Sequence, residues 1–234
     1  MSSPFVRATG IALAALLVTA CAQSGPSSGS MSSSSTSGSM ASMSHSTPAA
    51  PGGAGAAELR TALNALLAEH VVLAAGATGA ALGGRDAEFK AAAAALDANS
   101  QDLARAIGSV YGAGAQDAFL PLWRRHIGFF VDYTLAVARK DTAGQDKAVA
   151  DLVGYTEDFG AFLASANPNL PKAAVAGLVK QHVLTLKDVV DAQAAGDPAR
   201  SWTAVRAAEA HMAMIADPLA SAIAKQFPAR FAAR

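Results

Sequence analysis

The chain has 234 residues, with 18 basic and 18 acidic side chains in balance, 52% hydrophobic and 6% aromatic content, and one cysteine. The balance of charge, with no basic run or aromatic-interleaved stripe, excludes a nucleic-acid-binding surface, and the lone thiol excludes an intramolecular disulfide framework. Alanine dominates the remainder, which favours helix over sheet and calls for a core of small and aliphatic side chains on closely approaching helices.

At the N-terminus Arg7 precedes an apolar stretch from Ile11 to Val18 and then Thr19-Ala20-Cys21. This is a secretory pattern, too short for a stable membrane span. The run Leu17-Val18-Thr19-Ala20-Cys21 resembles a bacterial lipobox, which implies a signal peptide over 1–20, lipidation of Cys21 and a membrane anchor. Ala22 in place of Asp implies sorting to the outer membrane or cell surface. The segment 21–56 is Ser, Gly, Pro and Met without periodicity, the composition of a disordered tether. It carries Met31, Met40, Met43 and His45, either incidental spacer residues or a soft-ligand arm for Cu(I).

Residues 57–234 form one domain that repeats itself. Leu66-Leu67-Ala68-Glu69-His70, Leu122-Trp123-Arg124-Arg125-His126 and Leu178-Val179-Lys180-Gln181-His182 share the pattern Leu-apolar-x-x-His, and 126 − 70 and 182 − 126 both give 56. Leu103, Phe159 and Ile215 keep the same interval, as do Ile107, Leu163 and Leu219. Within a copy, Leu63, Leu66, Leu67, His70, Ala74 and Ala77 follow the 3.6-residue period of one helix, and Leu96, Asn99, Leu103, Ile107 and Val110 that of a second.

Turn residues collect at 83–86, 139–142 and 196–198 within hairpins, and at 111–114 and 167–171 between them. The expected helices run near 57–82, 86–110, 116–139, 143–165, 172–195 and 198–224, with Pro218 kinking or ending the last one early. The fold class is all-α: an antiparallel six-helix bundle of three 56-residue helical hairpins.

In an antiparallel hairpin, residues equidistant from the turn share a height. About turns near 84.5, 140.5 and 196.5, His70 faces Asn99, His126 faces Tyr155, and His182 faces His211. One turn further on lie Asp102, Asp158 and Met214. So polar a layer in an Ala/Leu interior must be paired, because each unsatisfied group costs about 1–3 kcal/mol. Facing helices that project ligands inward are how bundles build metal centres.

The candidate ligands are therefore His70, His126, His182 and His211. Asn99, Asp102, Tyr155, Asp158 and Met214 surround them, the two carboxylates either as acceptors for imidazole N–H groups or as helix-face groups bonded to Asn99 or Tyr155. Imidazole without thiolate suits copper first and zinc second, and the Glu-x-x-His pairs of di-iron bundles are absent. Basic Arg124, Arg125 and Lys180 lie within a turn of the histidines, either as solvated faces or as guides for an anion.

The strings Ala161-Phe162-Leu163-Ala164-Ser165-Ala166-Asn167-Pro168-Asn169-Leu170-Pro171, Ala208-Glu209-Ala210-His211-Met212-Ala213-Met214-Ile215-Ala216-Asp217 and Lys225-Gln226-Phe227-Pro228-Ala229-Arg230-Phe231 resemble a bacterial family of exported all-helical lipoproteins of unsettled function, over most of 58–231. The lipobox, the tether and the His-bearing bundle are similar to the helical copper-only superoxide dismutase-type lipoproteins associated with bacterial S-layer complexes. That likeness implies copper held by His70, His126, His182 and His211, and superoxide disproportionation in the cell envelope. Members of the family carry Asn where this chain has Tyr155, a departure in the second hairpin. The residues alone leave three readings open: a copper redox enzyme, a non-catalytic metal buffer or carrier, and a structural accessory of an envelope complex, with self-association open in each.

Overall fold

The computed structural model describes residues 55–231, so the signal segment, Cys21 and the Met-bearing tether lie outside the described residues. The described chain is all-helical. Its elements are α1 (Ala56–Leu82), α2 (Asp86–Tyr111), α3 (Ala113–Arg139), α4 (Thr142–Ala166), α5 (Lys172–Ala194), α6 (Pro198–Gln226) and a final turn, α7 (Pro228–Phe231).

Three of the breaks are built alike. After α1, α3 and α5 a residue enters the left-handed region: Gly84 at φ 65°, Lys140 at φ 56° and Gly196 at φ 67°. Behind each, the amide of Arg85, Asp141 or Asp197 donates to the carbonyl of Ala80, Ala136 or Ala192 at 2.9, 2.9 and 3.1 Å. This is the Schellman arrangement, which satisfies carbonyls that a helix end would leave bare. The next helix starts at once, and in two cases an aspartate caps it. Asp141 Oδ1 accepts from Gly144 N at 3.0 Å and Asp197 Oδ1 from Arg200 N at 2.9 Å.

The break between α2 and α3 is tighter than the expected four residues. Gly112 alone leaves the helix, at φ 89° and ψ 172°, a conformation open essentially to glycine. Pro218 does not end the last helix early, since α6 runs through it to Gln226. A proline inside a helix costs about 3 kcal/mol, but beyond it Leu219, Ala220, Ala222 and Ile223 are all buried, and that packing holds the last two turns in place.

Helix α1 is the interior element, packing against α2, α3, α5 and α6, while α3 also meets α5. By length and composition α1 is the one described helix apolar enough to cross a membrane, and half of that apolar window is buried in the bundle while Val72 stands exposed. Leu59, Leu63, Leu66, Leu67 and Val71 from α1 form one continuous core with Phe119, Trp123, Leu152, Phe159, Val183, Leu186, Met212 and Ile223. Where α1 runs beside α6, Asn64 Nδ2 donates to Asp217 Oδ1 at 3.0 Å and Arg60 Nη2 to Ser221 Oγ at 3.0 Å.

Lys140 occupies a left-handed position that glycine fills in the other two turns. Lys140→Gly should therefore raise stability by about 0.5–1 kcal/mol, the steric relief less the extra entropy of glycine in the unfolded chain. Urea titration of the two proteins measures this, and an unchanged or lower midpoint would contradict the shared turn geometry.

Candidate metal centre

Because α1, α3 and α5 meet one another, residues at one height on their facing sides must meet too. Those residues are His70, His126 and His182, with 1%, 2% and 3% of their surface exposed. Each offers a ring nitrogen within 4.8 Å of those of the other two. His70 Nε2 and His126 Nε2 lie 3.5 Å apart. The ring centroids of His70 stand 5.4 Å from His126 and 5.7 Å from His182, and those of His126 and His182 are 6.5 Å apart.

The surroundings are aromatic and aliphatic. Tyr155 stacks on His126 at 4.9 Å and 27°, and the Trp123 ring stands edge-on to His126 at 4.5 Å and to His70 at 5.0 Å. Within the described residues, the buried side-chain polar atoms without a hydrogen-bond partner are His70 Nδ1, His126 Nδ1, both nitrogens of His182, Asn99 Oδ1, Trp123 Nε1 and the Tyr155 hydroxyl. At about 1–3 kcal/mol each, such a group of atoms weighs heavily against the roughly 5–15 kcal/mol that holds a domain together.

Burial keeps the imidazoles neutral. Desolvation is the largest cause in each case, pushing His126 down to about 3 and His182 to about 4 from an ordinary 6.5, and His70 well below it. The neighbouring imidazoles add to this, because a proton on one ring repels a proton on the next: His126 and His182 act on His70, His182 on His126, and His211 on His182. A backbone contact with Trp123 opposes the shift of His126 without reaching hydrogen-bond geometry. Neutral imidazoles are the form that ligates metal ions.

The other expected site residues divide. Asn99 and Tyr155 are buried at 1% and 2% exposure. Asn99 is spent elsewhere, its Nδ2 donating to the Leu66 carbonyl at 2.9 Å and to Glu69 Oε2 at 2.8 Å. His211 is not brought into the cluster: it is half-buried, and its Nε2 donates to the Leu178 carbonyl at 2.9 Å. Leu66 and Leu178 each stand four residues before a cluster histidine, so Asn99 and His211 make equivalent bonds, from α2 to α1 and from α6 to α5. Their equal register in the sequence was the available signal.

Asp102 and Asp158 do not reach the imidazoles, being ion-paired with Arg105 and Arg125 at the surface. Arg124 is likewise paired, with Asp97 at 2.7 Å, and Lys180 is exposed. Met214 is 58% exposed and points away from the core. Trp123 is the neighbour that sequence reasoning missed. It stands three residues before His126, in the apolar position of the repeated motif, and reads there as ordinary core.

Two nitrogens each about 2.0–2.1 Å from one ion lie roughly 3.3–3.6 Å apart in trigonal or tetrahedral geometry. The His70 and His126 Nε2 pair already has that spacing at 3.5 Å. His182 needs only a small movement to join it. No carboxylate lies in the group, so its donor set is three uncharged imidazoles. Comparison with protein-family models, curated proteins and solved structures gave no match.

The depressed values set a direction for stability. Over the range from about 3 to 6.5 the unfolded chain binds more protons than the folded one, so stability is complete above 6.5 and declines as pH falls through that window. For the metal-free domain, urea midpoints should drop steadily between pH 6.5 and pH 4. A profile level across that range would mean that the rings are solvated.

Proposed function

We propose that the chain is a lipid-anchored copper-binding protein of the cell envelope, holding one Cu(I) ion between His70, His126 and His182. The single observation that carries this is the convergence of three buried, neutral imidazoles whose nitrogens lie within 4.8 Å of one another. Imidazole suits copper and zinc, and the charge of the ion decides between them. The cost of moving an ion into a low-dielectric interior grows with the square of its charge, so a divalent ion costs about four times as much as a monovalent one. With no carboxylate in the donor set to offset that cost, Cu(I) is favoured over Zn(II) and Cu(II).

The architecture behind the site is, in this proposal, an antiparallel bundle of three 56-residue hairpins. It is supported by the left-handed residues at 84, 140 and 196, the three matching Schellman bonds, and the matching bonds from Asn99 to Leu66 and from His211 to Leu178. Tethering through Cys21 rests on the lipobox-like sequence and gives the bundle a place at a membrane surface.

Holding and handing on metal fits better than turning over superoxide. Of the three cations within a turn of the histidines, Lys180 is exposed, and Arg124 and Arg125 are committed to Asp97 and Asp158. The two arginines are poor guides for an anion.

Anaerobic titration of the full chain with Cu(I) against a chromophoric chelator should show one tightly held equivalent and a raised melting temperature. Zn(II) should bind more weakly, and a His126→Ala, His182→Ala double variant should lose the copper. Undiminished copper in that variant would remove the site from consideration. Cys21→Ala should release the protein from membranes into the soluble fraction of a producing bacterium, whereas continued membrane association would refute the anchor.

A further inference from the structure

A cavity of about 210 Å³ runs between α1, α2 and α3, with Leu186 of α5 at its depth and His70 and His126 in its lining. Its walls are Ala74, Ala77, Leu96, Phe130 and Ile127. Two hydroxyls reach it, but both are occupied. Thr134 Oγ1 donates to the Phe130 carbonyl at 2.7 Å, and Thr78 Oγ1 lies 3.0 Å from the Ala74 carbonyl and 2.8 Å from Gln193 Oε1. Besides Asp86, the remaining polar residues of the lining are the two histidines, whose Nδ1 atoms are buried without a hydrogen-bond partner. Asp86, exposed in the first turn of α2, is the one acidic group in the lining, and no lysine or arginine contributes to it.

From this we infer that the cavity is a binding site for a small uncharged molecule with an apolar aromatic or aliphatic body and a single polar head. The body lies against Ala74, Ala77, Leu96 and Phe130, and the head meets His70 and His126. The size fits, since an apolar cavity of about 150 Å³ is enough for benzene. The chemistry of the lining selects against anions on two grounds: an unpaired charge is costly on an apolar wall, and Asp86 repels it at the open side. The ligand's head shares two histidines with the proposed copper centre, so the inference deepens that reading by naming what reaches the centre. The apolar walls belong to the cavity alone.

Binding of 4-ethylphenol, with 4-ethylbenzoate as its anionic counterpart, can be followed by ligand-observed NMR and calorimetry on the full chain, both metal-free and copper-loaded. The metal-free chain should bind one equivalent of the phenol, at least about tenfold more tightly than the benzoate, a difference of about 1.4 kcal/mol. Ala77→Phe should fill the space and abolish phenol binding while copper is retained. Ala81→Leu, at a half-buried lining position, is the milder variant should the larger one fail to fold, and it should weaken the phenol severalfold. His182→Ala should hold copper more weakly and keep the phenol, because His182 is not in the lining. Absence of saturable phenol binding to the metal-free chain, or equal binding of phenol and benzoate, would overturn the inference even with copper bound normally. Phenol binding without copper binding would sink the metal centre and leave the cavity assignment standing.

Discussion

Three uncharged imidazoles pressed together in an apolar interior constrain everything else about this protein. For His70, His126 and His182 to meet, α1, α3 and α5 must touch pairwise and hold the same axial register. The shared turn geometry after each of these helices supplies that register. A Schellman bond ends α1, α3 and α5 at equivalent residues, so each histidine stands the same distance before its helix end. A slip of one residue in any of these three helices would rotate its ring by about 100° and out of the group.

The same constraint explains why the layer is costly. Alanine- and leucine-rich helices pack closely without any polar group at their centre, and the domain would gain from hydrophobic residues in these positions. Desolvation keeps the rings neutral, and His70 Nδ1, His126 Nδ1 and both nitrogens of His182 are buried without a hydrogen-bond partner. Local rules are broken in folded proteins chiefly at functional sites. Here the breach falls on three neutral imidazoles whose ring nitrogens lie within 4.8 Å of one another and could hold a metal ion. The cavity beside them carries the point further, because small residues at Ala74 and Ala77 leave room where larger ones would have sealed the histidines off.

Much of this was legible in the sequence. The 3.6-residue periodicity located all six long helices to within three residues at either end, and the 56-residue interval picked out the three histidines that converge. Three of the expected neighbours failed for one geometric reason. Asp102, Asp158 and Met214 each stand three residues beyond Asn99, Tyr155 or His211, and three residues turn a helix about 300°. They therefore sit about 60° off the inward direction, at the edge of the stripe, where arginines reach the two carboxylates and solvent reaches the methionine. His211 was misjudged because its residue type outweighed its register, which is that of Asn99. The cavity was beyond sequence reasoning altogether, since it depends on side-chain sizes summed across four helices. So was the continuation of α6 past Pro218, which depends on what the following turns bury.

Copper K-edge X-ray absorption of the Cu(I)-loaded chain reads the ligand set itself. The spectrum should show a first shell of three nitrogen scatterers at about 2.0–2.1 Å, with the outer-shell multiple scattering of imidazole and one scatterer fewer in His182→Ala. A shell dominated by sulfur, or one left unchanged by His182→Ala, would place the copper elsewhere and contradict the three-histidine centre.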